Sequence, residues 1–384
     1  MKITKNLGLI TLASFFFFYA YHSYLILPIQ IIELGGGEHD VGLIMSVAGA
    51  STIFFTPISG MLGDSYNKKK LLLIGAFGLA FSNYLFIHFD SLYYSYIFLR
   101  FLQGCSFSFF FVSAGTFVSE TIDLKNQAQA LGFFGVFAIA NHAIAPTLST
   151  YIVSEYSYQI FFLTTSFAAL ICFIVITFLE DSKSVIVQGR KTSITAFIRI
   201  LKNKKIFLIF CIMFLVGGAF VTCLNFNAIY ANENMIKPVT LFFISYTSTA
   251  LVMRIFFGWI PDKIGRIQTC YPGLIGFGIS IGMLSFSNTF ILIIISGSIF
   301  GLCHALVYPS LYSLVLSFSE DGNKTKSFSL CSLSFTFGGM IFSSIYGFIA
   351  EIFSFRVMFL SCSIIVTMCF YFLIRKLKYI LKVS

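Results

Sequence analysis

The sequence predicts an all-α polytopic membrane protein with twelve transmembrane helices in two pseudo-symmetric six-helix bundles. Its mean hydropathy is +0.91 and only 10% of its residues are charged, whereas a soluble domain carries about 25%. Apolar runs of about twenty residues recur along the chain, each long enough to cross a hydrocarbon layer roughly 30 Å thick. These runs are continuous and do not alternate with period two, which excludes a β-barrel. A charged loop motif also occurs twice, which predicts an internal repeat.

The apolar runs divide into two sets of six. The predicted spans cover residues 7–31, 41–62, 71–89, 91–118, 128–153 and 159–179 in the first half, and 206–231, 238–260, 269–288, 290–318, 328–350 and 356–374 in the second. Residues 180–205 form the longest polar stretch. We therefore predict an N-terminal bundle over 1–179, a cytoplasmic linker over 180–205 and a C-terminal bundle over 206–384.

The basic residues predict the orientation. With both termini in the cytoplasm, the inner loops and tails hold 21 of the 25 Lys and Arg residues, as the positive-inside rule requires. This bias accounts for the net charge of +10 without a nucleic-acid partner. Basic tails beside a membrane can also bind anionic lipid. We expect an integral protein of a bacterial inner membrane, a monomer whose first span is retained.

The sequence offers few signs of enzymatic chemistry. None of the nine cysteines forms a CxxC pair, so neither a metal site nor a disulfide framework is indicated. No HExxH or P-loop pattern occurs, and the one GxSxG match, Gly278 to Gly282, lies within an apolar predicted span. We expect no cofactor and no enzymatic activity, although a membrane-embedded enzyme or a receptor without transport is the third alternative for this chain.

The repeated motif runs from Gly60 to Lys70 and returns over residues 258–266, a separation of 198 positions. Gly60 and Gly258 are expected to let two helices approach closely. Asp64 and Asp262 can accept bonds from orphan amides at a neighbouring helix N-terminus.

The rest of the motif is basic. Asn67 stands where the second copy has Gly265, and asparagine tolerates positive φ, so we expect the same turn in both copies. The basic residues of the motif are expected to pair with acidic residues that close spans four and ten. The predicted cytoplasmic gate therefore contains Gly60, Asp64, Lys68, Lys69, Glu120, Arg254, Gly258, Asp262, Arg266 and Glu320.

Together these features resemble the major facilitator superfamily of secondary transporters, in particular its twelve-span drug and metabolite efflux branch. The first motif matches the family's G-x-x-x-D-x-x-G-[RK]-[RK] signature at Gly60, Asp64, Lys68 and Lys69. The resemblance covers essentially the whole chain. It implies a latch that closes the cytoplasmic side in the outward-facing state, and parallel repeats place a substrate cavity near the membrane midplane.

Arg100 lies inside the fourth predicted span, in Arg100-Phe101-Leu102-Gln103-Gly104. A buried arginine in a membrane costs several kcal/mol unless it faces a cavity or a partner. The run resembles the superfamily's R-x-x-Q-G motif, which is associated with proton-coupled transport. The alternative is a structural role, in which the guanidinium donates to helix-end carbonyls.

The titratable residues inside spans are histidines, because all fifteen acidic residues fall in loops or at span ends. His22, His142 and His304 lie in spans one, five and ten, which line the cavity by resemblance to the family. Histidine can carry a proton at physiological pH. We predict proton coupling by His22 and His142 with Arg100, and we expect Gln103, Asn141 and His304 to complete the set of proton-coupling or cavity residues. The alternative is that each histidine is hydrogen-bonded inside the protein.

Two more features bear on the direction of transport and on the gate. The fifth span keeps Pro146 but has alanines where the efflux branch has its last glycines, so the match favours export only modestly. Arg254 precedes Gly258 and Asp262 on roughly one helix face, and it can either act in the gate or extend its side chain towards water.

These features predict a secondary active transporter that works by alternating access. The expected partners are a small-molecule substrate, protons and the lipid bilayer. The preferred function is proton-coupled export of an amphipathic or hydrophobic compound. The alternative is proton-coupled import of a small metabolite or organic anion, whose charge Arg100 and His142 would hold.

Overall fold

The computed structural model describes residues 4–65, 67–89, 92–121, 127–180, 199–320 and 323–383. These residues form α-helices, short 3₁₀ turns and loops, without a β-strand. Eleven helical segments of the described chain are long and apolar enough to cross a membrane, and one further apolar helix, Leu241–Phe256, is shorter. The prediction of an all-α polytopic protein is therefore confirmed.

The chain folds into two compact units. Unit 1 contains Met1–Gly36 and Val47–Arg190, and unit 2 contains Gly37–Ser46 and Lys191–Ser384. The helices of the first 180 residues are α1 (Lys5–His22), α2 (Leu27–Glu33), α3 (Glu38–Ser65), α4 (Lys68–Leu85), α5 (Tyr94–Thr121), α6 (Gln127–Glu155) and α7 (Tyr158–Thr177). Those that follow are α8 (Lys204–Glu233), α9 (Leu241–Phe256), α10 (Ile260–Ile264), α11 (Arg266–Leu284), α12 (Phe290–Phe318), α13 (Lys324–Ile352) and α14 (Phe355–Val383).

Three predicted spans differ from the helices that form. Span one is interrupted by a 3₁₀ turn over Ser23–Ile26, and Pro28 lies in the first turn of the next helix, where its missing N–H is tolerated. Span eight ends at Phe256, four residues before its predicted end, and Pro261 lies in the separate helix α10. The last helix continues to Val383 beyond the predicted end at 374, since Leu377 is buried and extends its apolar face.

Unit 1 is held together by aromatic stacking and by small residues. The rings of Phe17 on α1 and Phe110 on α5 stack with centroids 3.7 Å apart. Gly104 on α5 lies against the backbone of Ala48 on α3, so a side chain there would meet that helix. The Ser51 hydroxyl on α3 donates to the Phe101 carbonyl at 2.7 Å. Close backbone contact and hydroxyl bonds of this kind stabilise helix pairs in membranes.

In unit 2, helices α8 and α13 cross at small residues in the same way. Gly217 lies against the Phe335 backbone, and Asn225 Nδ2 donates to Ser343 Oγ at 2.8 Å. The first turn of α3 also belongs to this unit. Its His39 N–H donates to Glu351 of α13 at 2.9 Å, which places a carboxylate at a helix N-terminus, where negative charge is favoured.

Candidate functional site

Unit 1 contains a chain of buried polar side chains that begins at Arg100. The Arg100 Nη1 donates to Gln103 Oε1 at 2.7 Å, and Gln103 Nε2 donates to Asn83 Oδ1 at 2.7 Å. Asn83 Nδ2 in turn donates to the Ala20 carbonyl at 3.3 Å. Arg100 is 5% exposed, and Gln103 and Asn83 are 0% exposed. This chain links α5 through α4 to α1 and gives the buried guanidinium a polar partner.

The two predicted histidines of unit 1 lie face to face. The rings of His22 on α1 and His142 on α6 are stacked, with centroids 4.1 Å apart and an angle of 19° between their planes. Phe18, one turn earlier on α1, stacks on His22 at 5.6 Å and 16°. Both histidines are half-buried. The fold thus gathers two titratable rings, 120 positions apart in sequence, into one stack.

Tyr21 connects the histidine stack to the arginine. Its ring meets His22 edge to face at 5.7 Å, and its hydroxyl lies within electrostatic range of the Arg100 guanidinium. Arg100, Tyr21, His22 and His142 therefore lie close together in unit 1.

Asn141 holds α6 in register with α1. Its Nδ2 donates to the Phe15 carbonyl of α1 at 3.2 Å and to the Phe137 carbonyl of its own helix at 2.9 Å. The side chain is 0% exposed. Asn141 thus bridges two helices, and this bridge positions the next residue, His142, against His22. Its predicted role was contact with a cavity, and the donor group is instead used between helices.

In unit 2, His304 on α12 lies among aromatic rings. It stacks on Phe220 of α8 at 4.6 Å and lies 5.2 Å from the ring of Tyr308. Arg254 on α9 is within electrostatic range of Tyr308 and Tyr246. Each unit therefore places a histidine, tyrosines and an arginine together, with His304 in a different unit from the stacked pair.

The first loop motif acts at helix ends. Asn67 has a φ of −61°, so the predicted positive φ is wrong, and its side chain caps α4 by accepting from Lys69 N at 2.8 Å. An N-cap needs extended backbone and a short acceptor side chain, and asparagine supplies both. Lys69 Nζ donates to the Thr177 and Leu179 carbonyls at 2.8 and 2.6 Å. Lys69 therefore binds the C-terminal end of α7, and the side chain of Glu120, an expected acidic partner, lies outside the described residues.

The second loop motif has a different backbone. Gly265 has a φ of +108°, a value that glycine alone adopts without strain. Arg266 Nη2 lies 3.5 Å from Asp262 Oδ1 in an exposed pair. The prediction that Arg266 pairs with an acidic residue of a neighbouring loop is corrected, because four residues of helical rise bring Asp262 within its reach. Glu320 accepts instead from Asn323 Nδ2 at 3.3 Å.

The remaining gate predictions have separate outcomes. Nothing among the described residues lies within 4 Å of a side chain built at Gly60, and the only atoms so close at Gly258 belong to Arg254 of the same segment. Among the described residues neither glycine packs against a neighbouring helix, and Gly258 lies in the break between α9 and α10, so the close helix approach at these glycines stays a prediction. The side chains of Asp64 and Glu120 lie outside the described residues. Lys68 is 5% exposed at the start of α4.

Two structural roles were missed from the sequence. Asn83 is a single polar residue in an apolar run, and its link to Gln103 depends on how α4 packs on α5. Glu180 pairs with Lys5 at 3.0 Å and exchanges bonds with Asn6, which joins the end of α7 to the start of α1. The only sequence signal for the role of Asn83 was a lone asparagine in an apolar span. The sequence held no signal for the role of Glu180.

Comparisons with known proteins agree on the family. The model described as Major Facilitator Superfamily matches residues 7–272 and 237–381. An uncharacterised MFS-type transporter of Methanocaldococcus jannaschii is 26% identical over 349 residues, covering 85% of this chain and 86% of that protein. The multi-drug resistance efflux pump PmrA of Streptococcus pneumoniae is 20% identical over 369 residues, covering 93% and 92%. The staphylopine export protein of Staphylococcus aureus is 21% identical over 363 residues, covering 88% of each chain.

Solved structures share the fold at low identity. The nucleoside transporter NupG aligns with a TM-score of 0.80 and 12% identity, covering 96% of this chain and 99% of that one. The human organic anion transporter MFSD10 aligns with a TM-score of 0.70 and 13% identity, covering 96% and 98%. With a family match over most of its length and this fold, the chain belongs to the Major Facilitator Superfamily and is an integral membrane transporter.

Proposed function

We propose that this transporter exports a small amphipathic or hydrophobic compound in exchange for protons. The observation that carries the proposal is the stacked pair of His22 and His142 beside Arg100 in unit 1. Protons need a titratable group within the membrane, and the acidic residues of the chain lie in loops or at helix ends. Histidine is the side chain whose ordinary pKa permits this near neutral pH.

Histidine can couple protons to substrate through its hydrogen bonds. A neutral ring has one bare nitrogen that accepts a bond, whereas a protonated ring only donates. A substrate N–H or O–H group therefore binds to the neutral pair and is released when the pair is protonated. Because such linkage is reciprocal, substrate binding also expels the proton. This exchange is antiport.

The surroundings suit a substrate with an apolar body. Phe18 stacks on His22, and Phe107 lies 4.6 Å from the ring of Tyr21. Aromatic faces bind planar apolar groups with little loss of side-chain entropy. Arg100 adds a permanent positive charge, so the site disfavours multivalent cations.

The direction of transport rests on sequence relatives. PmrA and the staphylopine export protein have names that describe export, and both align along most of this chain. We propose the same direction here. We further propose two six-helix bundles over 1–179 and 206–384 joined by a linker over 180–205, both termini in the cytoplasm, an inner-membrane location, a monomer and no enzymatic activity.

Inside-out membrane vesicles with an acidic lumen test the proposal. Ethidium serves as the probe, because it has a planar aromatic body and amino hydrogen-bond donors. We expect lumenal acid to accelerate ethidium uptake, and His142→Ala together with His22→Ala to reduce this acceleration at least about fivefold, since coupling energies of 1–3 kcal/mol correspond to 5–150-fold effects. Normal acid-driven uptake by the double variant would refute the histidine mechanism.

Import of an organic anion is the alternative, and the buried positive charge of Arg100 favours it. The same pair would then hold the anion together with its proton. Right-side-out vesicles distinguish the two functions. Benzoate uptake driven by external acid, above that of vesicles without the protein, would support import, and ethidium uptake into inside-out vesicles would support export.

A further inference from the structure

We propose that His22 and His142 form a single proton-binding unit that takes up one proton and not two. The proposal deepens the proposed function, because it adds that each transport cycle then carries one proton through this pair. It rests on the geometry of two imidazole rings whose centroids are 4.1 Å apart.

Two charged rings at this distance repel each other. Two unit charges at this separation, in a medium of effective dielectric constant about 20, repel strongly enough to weaken binding of the second proton about a thousandfold. Protons then bind to the pair in two widely separated steps that belong to the pair and not to either ring. The pair therefore holds a single proton over a wide pH range before a second one can bind.

The side chains around the pair do not offset a second positive charge. Away from their ends, the helices packed around the pair carry ionisable side chains of three kinds, and none of them is a carboxylate. They are Tyr19 and Tyr21 on α1, Tyr24 in the following turn, Arg100 and Cys105 on α5, and Cys172 on α7. Asp and Glu within these helices stand only at their ends. No anion in the described core of unit 1 therefore offsets a second positive charge, and Arg100 opposes it.

The ring of Phe18 explains why one proton is accommodated. Phe18 lies nearly parallel to His22, with ring centroids 5.6 Å apart and an angle of 16° between the planes. The face of an aromatic ring attracts a cation, so a single imidazolium gains from this contact. The neutral partner ring offers its own π face to the charged one. The stack is thus suited to one charge shared by two rings.

Proton counting on the purified full-length protein in detergent, without any substrate, tests the proposal. The background variant carries His39→Gln, His88→Gln and His304→Gln, which leaves His22 and His142 as its histidines. Proton uptake is measured by titration from about pH 8.5 to about pH 4, a range that spans the ordinary histidine value. The proton uptake of variants that also lack one or both histidines of the pair is subtracted from that of the background variant. The contribution of the carboxyl groups then cancels.

The expected result is distinctive. Removing His22 alone or His142 alone, each by substitution with Gln, should change the count by zero protons, because the remaining ring binds the same single proton. Removing both should lower it by one. A loss of one proton for each single variant and two for the double variant would overturn the proposal, and so would no loss in any of them.

Two further measurements keep the result interpretable. Nitrogen-15 NMR of histidine-labelled wild-type protein needs no substitution, and it should show the two rings titrating together with half a proton each; two full, independent titrations would contradict the proposal. The vesicle assay reports separately on the proposed function. One outcome is that the pair binds one proton while acid-driven ethidium uptake persists in the variant that lacks both histidines. That result would support the single-proton unit and refute its role in coupling.

Discussion

Arg100 is a buried charged residue of unit 1. Its guanidinium is charged and 5% exposed, so it needs acceptors inside the protein. Gln103 supplies one at 2.7 Å, and Asn83 orients Gln103 by accepting from its amide nitrogen. The amide of Gln103 must therefore point its oxygen at Arg100, and the network has one orientation that satisfies both partners.

This orientation leads to a prediction for Gln103→Leu. The substitution leaves Arg100 without its acceptor in the buried network, and we expect the free energy of unfolding to fall by about 2–3 kcal/mol. Unfolding in detergent measures the effect. The matched control is Asn232→Leu at an exposed position, which should change the value by less than about 0.5 kcal/mol. Equal effects of the two substitutions would show that the network does not stabilise unit 1.

At the residue scale, sequence reasoning identified the polar types but not their contacts. Arg100, Gln103 and both histidines were chosen as polar residues in apolar spans, and the fold brings them together with Tyr21. Asn141 was chosen for the same reason and yet bridges α6 to Phe15 of α1. Spacing along one helix reveals neighbours on that helix, whereas contacts between helices depend on their packing.

Helix ends explain how the two loop motifs came to differ. Asn67 caps α4 from an extended conformation, with φ −61°, while Gly265 begins α11 with φ +108°. The sequence suggested one shared turn, because asparagine tolerates positive φ better than other residues do. That tolerance was not needed, since asparagine is equally favoured as an N-cap.

Exchanging the two residues tests this difference. Asn67→Gly should lower the free energy of unfolding by only a few tenths of a kcal/mol, because glycine is also an acceptable N-cap. Gly265→Asn should lower it by about 1–3 kcal/mol, because its backbone conformation is nearly reserved for glycine. Thermal or chemical unfolding of the two variants gives the comparison. A larger loss for the Asn67 variant would contradict the assigned backbone geometry.

Lys69 offers a second prediction at the scale of elements. It donates to two carbonyls at the end of α7, so Lys69→Met should destabilise that end by about 0.3–1 kcal/mol. Hydrogen exchange of residues 174–180 should rise, while Lys69→Arg restores protection. The control is the neighbouring exposed Lys70→Met. Unchanged hydrogen exchange in the Lys69→Met variant would contradict the role at the end of α7. It would favour the latch role that the family resemblance implies for Lys69.

The helix boundaries show where the sequence sufficed. The tenth span was predicted over 290–318 and α12 covers Phe290–Phe318, because polar residues stand directly outside both ends. The eighth span was predicted too long, since the apolar residues before Pro261 hid the end of α9 at Phe256. Hydropathy averages over a window and does not resolve a helix break within it.

At the scale of the whole molecule, the doubled motif correctly indicated the family. The two units nevertheless have different local structures at that motif: α3 is continuous through Ser65, whereas α9 and α10 are separated by Phe257–Trp259. Internal repetition in sequence therefore predicted the architecture but not the identity of the contacts. Those contacts depend on residues outside the motif, such as Thr177 and Leu179.

The latch implied by the family predicts the outcome for Asp64. Asp64→Asn should insert normally and bind lipid normally, but should slow transport, because it removes a negative charge from the motif. Asp262→Asn is the matched variant in the second copy, where the carboxylate pairs with Arg266 in an exposed position and contributes less than about 1 kcal/mol. Unchanged ethidium flux in the Asp64 variant would remove that residue from the mechanism.

In the proposed function, protons drive transport through the pair of His22 and His142. Ethidium uptake into inside-out vesicles, with and without an acidic lumen, measures it most directly in the wild type and in the double variant His22→Ala, His142→Ala. We expect lumenal acid to accelerate uptake in the wild type, and the double variant, folded and inserted, to show the same uptake with or without acid. Acid-driven uptake of wild-type magnitude in the double variant would contradict it.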